Sequence, residues 1–154
     1  MRSHGVQQVI ALGIGHFAGC LKACSQLALL LHLKDALNIQ NVTVYDPIFT
    51  ESEQNHLASL GFTCSAQYSP SSPCLFYMIH CHLDLYESVL LSISACPYPI
   101  LLVSNSLKSY SDRINPALHE VFHIQLVASC TEIPLASSDP AFNDTYLVRL
   151  GYNG

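Results

Sequence analysis

The sequence predicts an α/β fold in which a mostly parallel β-sheet lies between two layers of helices. Short apolar runs alternate with longer segments of helical periodicity, half of the 154 residues are hydrophobic and only 11% are charged. Strands that helices cover on both faces have such apolar sequences, and alternating strands and helices favour right-handed parallel crossovers. We therefore expect a single domain with the sheet order 3-2-1-4-5 and further strands near the C-terminus.

The first half of the chain contains two strand–helix units and a short third strand. Asn38 suits the left-handed end of the first helix. Thr50 and Glu53 have the spacing of a capping box, so a second helix should begin at Glu51, and Gly61 suits its end. The predicted elements are strand 8–12, helix 17–37, strand 42–45, helix 51–60 and strand 62–64.

The second half begins with a Ser/Pro-rich loop at 67–73, and Pro97 and Pro99 mark the turn before the fifth strand. Beyond residue 106 the pattern weakens: residues 109–113 fit a solvated loop or a helix start, and residues 134–140 fit a loop. The predicted elements are strand 75–79, helix 83–94, strand 100–103, a short helix 116–122, strand 123–127 and strand 145–150.

A glycine turn separates the first strand from the first helix. Gly13 and Gly15 allow a left-handed backbone and the close approach of a ligand, and the start of a helix attracts anionic groups. His16 borders the turn. Asp46 ends the second strand, where dinucleotide-binding folds hold ribose hydroxyls. The spacing fits equally well a structural turn that binds nothing.

Polar residues also stand at the ends of three later strands. His80 follows the fourth strand, Asn105 follows the fifth and Asp144 precedes the last. In the order 3-2-1-4-5 the first and fourth strands are neighbours, so His80 and the glycine turn should meet across one crevice at the carboxyl edge. Asp144 belongs to an Asn-Asp-Thr sequence that could close over this crevice or form a turn with its own backbone.

Histidine and cysteine residues occur near the same strand ends. Residues 80–82 read His-Cys-His, and His16, Cys20 and Cys24 have four-residue spacing. Imidazole and thiolate suit zinc, copper or haem iron. The spacing matches no closed zinc pattern, and buried cysteine commonly acts as a small hydrophobe, so we assign no metal ligand. A nucleophile formed by Cys81 and a histidine is a further alternative, although neighbouring side chains in a strand diverge.

The charge and the cysteine content limit which partners and which cellular compartment we expect. The net charge is −5 and no lysine or arginine cluster is present, so we expect no nucleic-acid binding. Seven cysteines without framework spacing, and an N-terminal segment unlike a signal peptide, favour the cytoplasm or the nucleus. The most apolar stretch, residues 27–33, is too short to cross a bilayer, so we expect no membrane association.

Short motifs occur in a fixed order across residues 9–150. They are GIGHF at 13–17, QLA at 26–28, VYDP at 44–47, LG at 60–61, FYM at 76–78, HC at 80–81, LY at 85–86, NS at 105–106 and FNDT at 142–145. As an ordered set they resemble the sensitivity-to-red-light-reduced family, the SRR-like proteins. Ile79 and Ser104 replace the proline and glycine usual in that family, LSIS at 91–94 replaces an aromatic patch, and the chain has no tryptophan. These departures bear on the pocket and the partner surface more than on the fold.

The resemblance implies a Rossmann-like domain with a regulatory role, in circadian rhythm and light signalling in plants and in haem biosynthesis and clock-gene expression in animals. It carries over no catalytic mechanism. We predict a regulatory protein that works with protein partners and binds an adenosine-containing or haem-like ligand in the crevice. The predicted lining is Gly13, Gly15, His16, Asp46, His80, Asn105 and Asp144. The alternatives are an enzyme dependent on S-adenosylmethionine or a nucleotide, and an interaction scaffold whose crevice binds nothing.

Overall fold

The computed structural model describes residues 5–113 and 127–151, and these form a sheet flanked by helices. The strands are β1 (Gln8–Leu12), β2 (Asn41–Tyr45), β3 (Thr63–Cys64), β4 (Cys74–Met78), β5 (Ile100–Asn105), β6 (Thr131–Pro134) and β7 (Thr145–Arg149). The helices are α1 (Leu21–Ala36), α2 (Glu51–Ser59), α3 (Leu83–Ile93) and α4 (Leu107–Arg113), with a 3₁₀ turn at Pro140–Phe142. None of the helices in the two described ranges is long and apolar enough to span a membrane.

The strands lie in the order β3-β2-β1-β4-β5-β7-β6. The first five in this order are parallel, whereas β7 runs antiparallel to both β5 and β6. The predicted α/β class, the order 3-2-1-4-5 and the additional strands near the C-terminus are confirmed. In the register, Leu12 lies beside Tyr45 and Ala11 lies beside Tyr77, so β1, β2 and β4 end at one edge of the sheet. We call it the carboxyl edge.

The pleat of the central strands divides the core into two layers. On one face, Val9 belongs to a cluster with Leu30 of α1, and on the other Ile10 and Phe76 belong to a cluster with Leu90 of α3. Successive side chains of a strand point to opposite faces, so both sets must be apolar when helices cover both. This double burial explains the uninterrupted hydrophobic runs of β1 and β4.

The first helix begins later than the sequence predicts. α1 starts at Leu21 rather than at residue 17, Cys20 has an extended backbone, and residues 13–20 form a loop. The prediction that the glycine turn opens directly into a helix is therefore wrong. The physical reason is tertiary, since the His16 side chain and the Ala18 N–H are hydrogen-bonded to Glu53 of α2.

Other differences concern the C-terminal half. β5 extends to Asn105, two residues beyond the prediction, because β7 pairs with it as far as Thr145. Residues 109–113, for which the sequence allowed either a loop or a helix start, belong to the helix α4. The strand β6, which is short and mostly exposed, is not predicted by the sequence. The predicted helix 116–122 lies outside the described residues, as does the predicted strand 123–127 apart from Val127. The remaining boundaries agree within one residue.

Candidate functional site

The loop of residues 13–20, called the glycine loop below, connects β1 to α1 at the carboxyl edge. Gly13 and Gly15 have φ angles of 71° and 84°, which a residue with a Cβ adopts only with strain. The Gly13 N–H donates to the Tyr45 carbonyl oxygen at 3.1 Å, and the Gly15 N–H donates to Asp46 Oδ2 at 2.9 Å. The two glycines turn the chain as expected, but protein atoms already accept their N–H groups.

Asp46 organises the backbone on both sides of its own position. While Oδ2 accepts from Gly15, Oδ1 accepts from the Ile48 N–H at 3.0 Å. A carboxylate oxygen has two lone pairs, so each Asp46 oxygen can still accept one hydrogen bond from a ligand. A cavity of about 120 Å³ lies beside this carboxylate between the ends of β2 and β3, and its lining includes Gln54 and Ser65.

Glu53 joins the glycine loop to α2. Its side chain is only 2% exposed. Oε2 accepts from the Thr50 N–H at 2.9 Å and from His16 Nδ1 at 3.1 Å, and Oε1 accepts from the Ala18 N–H at 3.1 Å. Glu53 therefore closes the predicted capping box with Thr50 and also anchors the loop.

These hydrogen bonds fix the charge of Glu53. They lower the pKa of the carboxyl from 4.5 to about 2, with the Thr50 backbone N–H as the largest cause and with burial opposing the shift. Glu53 is therefore an anion at neutral pH and acts only as an acceptor. Because a carboxylate only accepts, His16 Nδ1 donates to Glu53, and a neutral ring would then present Nε2 as an acceptor on a side chain that is 51% exposed.

A close contact joins β1 to β4 where the strand order reverses. A Cβ added to Gly13 would lie 2.7 Å from the sulfur of Cys81, which itself lies 3.4 Å from the Leu12 carbonyl oxygen. Burial, with a smaller contribution from the Asp46 carboxylate, raises the pKa of the Cys81 thiol to about 12. The neutral thiol of Cys81 thus fills the crevice next to Gly13, and this environment opposes the nucleophile alternative.

Asn105 is the centre of a second group of hydrogen bonds, called the Asn105 cluster below. Asn105 Oδ1 accepts from the His80 N–H at 2.6 Å, and Nδ2 donates to the Asp144 carbonyl oxygen at 3.0 Å. The Tyr86 hydroxyl donates to the Met78 carbonyl oxygen and accepts from the Asn105 N–H at 3.3 Å. One buried amide therefore holds the end of β4, the helix α3 and the start of β7 together.

The backbone at His80 and Asp144 is left-handed, with φ angles of 56° and 53°. The His80 ring also joins the cluster, because Nε2 lies 3.1 Å from the Ala141 carbonyl oxygen and Nδ1 lies 3.3 Å from Asn105 Nδ2. A carbonyl only accepts, so the neutral ring carries its proton on Nε2 and accepts from Asn105 at Nδ1. The side chains of His80 and Asp144 remain largely exposed.

The structure thus brings the predicted residues together in two groups. The glycine loop unites Gly15, His16 and Asp46, and the Asn105 cluster unites His80, Asn105 and Asp144. Gly13 and Cys81 lie between the two. The sequence reasoning missed Glu53 and Tyr86 as site residues, although Glu53 was visible as half of a capping box.

Within the described residues, no three histidine, cysteine, aspartate or glutamate side chains come close enough together to hold a metal ion. His16 bonds to Glu53, Cys24 donates to the Phe17 carbonyl oxygen at 2.8 Å, and Cys81 is buried. Three of the side chains considered as metal ligands, those of His16, Cys24 and Cys81, are therefore placed in separate environments.

The fold and the site define a Rossmann-like α/β protein with a glycine loop and a polar cluster at the carboxyl edge of its sheet. A family model of the SRR1 domain matches residues 1–149. The chain therefore belongs to the SRR1 domain family, as the ordered motifs predict.

Curated relatives carry the same family name. An SRR1-like protein of Mus musculus is 30% identical over 115 residues, covering 68% of this chain and 46% of the mouse protein. An SRR1-like protein of Drosophila melanogaster is 26% identical over 153 residues, covering 92% of this chain and 54% of the fly protein. Protein SENSITIVITY TO RED LIGHT REDUCED 1 of Arabidopsis thaliana is 27% identical over 157 residues, covering 90% of this chain and 56% of the plant protein. The chain thus spans about half the length of these relatives, and no solved structure matches it significantly.

Proposed function

We propose that the chain is a regulatory protein that binds a small polar ligand at the carboxyl edge and acts in a light-, rhythm- or haem-related pathway. The pathway part rests on family membership and on the name of the Arabidopsis relative, which refers to red-light sensitivity. The ligand part rests on the geometry of the carboxyl edge, where open parallel sheets commonly bind ligands.

The observation that carries the ligand part is the left-handed backbone of two residues, His80 and Asp144, both bonded to Asn105. Backbone strain of this kind costs about 1–3 kcal/mol per residue and concentrates at ligand clamps and switch regions. The two residues come from segments far apart in sequence, and Asn105, which is 3% exposed, fixes both. The exposed Asp144 carboxylate and the exposed face of the His80 ring, whose two nitrogens bond within the cluster, are therefore fixed where a ligand can contact them.

The compartment and the partners form part of the same proposal. All seven cysteines are free thiols, as suits a reducing compartment, so we place the protein in the cytoplasm or the nucleus. In a regulatory role the ligand would change how the carboxyl edge contacts a protein partner.

A thermal-shift screen tests this proposal. The panel contains S-adenosylmethionine, its demethylated product, NAD, NADP, ATP, haemin and zinc. A ligand at a hundred times its Kd adds about 2.7 kcal/mol, which is roughly 5–11 °C in Tm for a chain of this size. The test variants are His80→Asn and Asp144→Asn, since asparagine tolerates the left-handed backbone. Asp35→Asn removes the same charge at the exposed far end of α1 and serves as the matched control.

A shift that both test variants lose and the control keeps is the expected result. A haemin shift lost in His80→Asn favours a haem-responsive regulator, whereas an S-adenosylmethionine shift calls for assays of the enzyme alternative. No shift with any compound rejects the ligand part of the proposal and favours the interaction scaffold.

A further inference from the structure

Three N–H groups of the glycine loop that could receive a phosphate are occupied by the protein itself. The Gly15 N–H donates to the carboxylate of Asp46, and the Ala18 N–H donates to the carboxylate of Glu53. The Gly13 N–H donates to the Tyr45 carbonyl oxygen. In loops that bind phosphate, free backbone N–H groups point at the anion. Here two carboxylates take the place of that anion, and their charge would repel another.

His16 provides a further acceptor on the glycine loop. The Glu53 carboxylate accepts from Nδ1, so in the neutral form of the ring Nε2 is an acceptor on a half-exposed side chain. Among the described residues, Nε2 has no hydrogen-bond partner. Asp46 keeps unused lone pairs close by, because Gly15 and Ile48 each occupy one position on its two oxygens. Both groups therefore suit a ligand that donates hydrogen bonds.

The cavity beside Asp46 limits the size and shape of the buried part of such a ligand. Its volume of about 120 Å³ is well below the about 300–1,000 Å³ of pockets that enclose a drug-sized ligand, so it can enclose a small group of a ligand but not a dinucleotide. Gln54 and Ser65 add polar groups to the lining, and Val44 and Phe49 add an apolar wall. Hydroxyl donors beside an apolar surface are the features of a nucleoside.

We infer that the glycine loop binds an unphosphorylated nucleoside, with its ribose hydroxyls donating to Asp46 and His16, and that it discriminates against the phosphorylated form. The inference rests on the proposed function, because it names a ligand class for the glycine-loop part of the same carboxyl edge. It reverses the phosphate preference that a glycine turn by itself would predict.

Adenosine and adenosine 5′-monophosphate test the inference, because they differ by one phosphate. Binding is measured by isothermal titration calorimetry at pH 8, where neutral imidazole predominates in water. We expect adenosine to bind at least tenfold more tightly than the monophosphate, and inorganic phosphate alone to leave the Tm unchanged. Equal or tighter binding of the monophosphate, or a Tm increase with inorganic phosphate, would overturn the inference.

Two variants connect the discrimination to the named residues. His16→Ala should weaken adenosine binding roughly tenfold, as expected for one lost hydrogen bond, and should lower the Tm of the unliganded protein, because the buried Glu53 carboxylate loses a donor. His32→Ala, an exposed histidine of α1, is the matched control and should bind like the parent protein. Asp46→Ala should lose adenosine affinity and gain affinity for inorganic phosphate, because it releases the Gly15 N–H. If Asp46→Ala does not fold, Asp46→Asn replaces it. The ratio of its affinity for adenosine to its affinity for the monophosphate should be smaller than in the parent protein.

The outcomes separate this inference from the proposed function. If neither adenosine nor its monophosphate binds but haemin binds in a manner that needs Asp144, the inference is wrong and the proposed ligand site stands. If no compound of either experiment binds, both are wrong. Adenosine binding that His16→Ala and Asp46→Asn leave unchanged also refutes the inference, since the nucleoside then lies elsewhere.

Discussion

The contact between Gly13 and Cys81 should make Gly13 the less replaceable of the two loop glycines. An alanine at a φ of 71° costs about 1–2 kcal/mol in backbone strain. Its Cβ would also lie 2.7 Å from the Cys81 sulfur, and overpacking of a buried site costs about 1–3 kcal/mol. We therefore expect Gly13→Ala to lower the free energy of unfolding by about 2–5 kcal/mol, measured by urea denaturation.

Gly15→Ala is the matched control for this prediction. Gly15 has a φ of 84°, but an added Cβ would meet only the Ala23 Cβ at 3.9 Å, an ordinary contact. Gly15→Ala should therefore lower the free energy of unfolding by the backbone strain alone, about 1–2 kcal/mol. Combining Gly13→Ala with Cys81→Ala should recover about 1–3 kcal/mol in a double-mutant cycle, because the clashing sulfur is gone. Equal losses for the two glycine variants, or a coupling energy near zero, would refute the reasoning.

Three further predictions concern the buried polar groups. Asn105→Ala should lower the free energy of unfolding by roughly 2–5 kcal/mol in urea denaturation, because the His80 N–H and the Asp144 carbonyl oxygen lose their buried partner. Because the Glu53 pKa is lowered from 4.5 to about 2, the stability that this carboxylate adds is complete above pH 4.5 and is lost as the pH falls towards 2. Glu53→Gln should therefore be less stable than the parent protein at neutral pH. In urea titrations its free energy of unfolding should change less between pH 4.5 and 2 than that of the parent protein. Burial raises the Cys81 pKa to about 12, so alkylation followed by mass spectrometry at pH 8 should modify the exposed Cys20 well before Cys81.

Each of these predictions has an internal comparison. Asn143→Ala changes an exposed neighbour of the Asn105 cluster and should stay within about 0.5 kcal/mol of the parent protein. Glu51→Gln removes an exposed charge from the first turn of α2 and should keep the acid sensitivity between pH 4.5 and 2. In urea, Cys20 and Cys81 should react at similar rates. Large destabilisation by Asn143→Ala, an unchanged pH profile for Glu53→Gln, or fast labelling of native Cys81 would each contradict the corresponding assignment.

Local signals in the sequence determined most of the framework. The apolar runs and the helical periodicity predicted the parallel strands, because helices on both faces demand such sequences. Right-handed crossovers with one switch in strand order predicted the order 3-2-1-4-5. The Thr50–Glu53 pair predicted the start of α2 to the residue, since a capping box depends on atoms only three positions apart. The ordered motifs predicted the family, and they also placed His80, Asn105 and Asp144 at strand ends.

Only the tertiary structure decided how those strand ends interact. Gly15 bonds to Asp46 across 31 positions, Ala18 bonds to Glu53 across 35, and Asn105 bonds to Asp144 across 39. Periodicity and capping rules describe forces within a few residues, so they could not show that Glu53 delays the start of α1 or that Cys81 fills the crevice. The sequence by itself set which residues reach the carboxyl edge. The packing of the strands decided which of their donors and acceptors are used by the protein and which remain for a ligand.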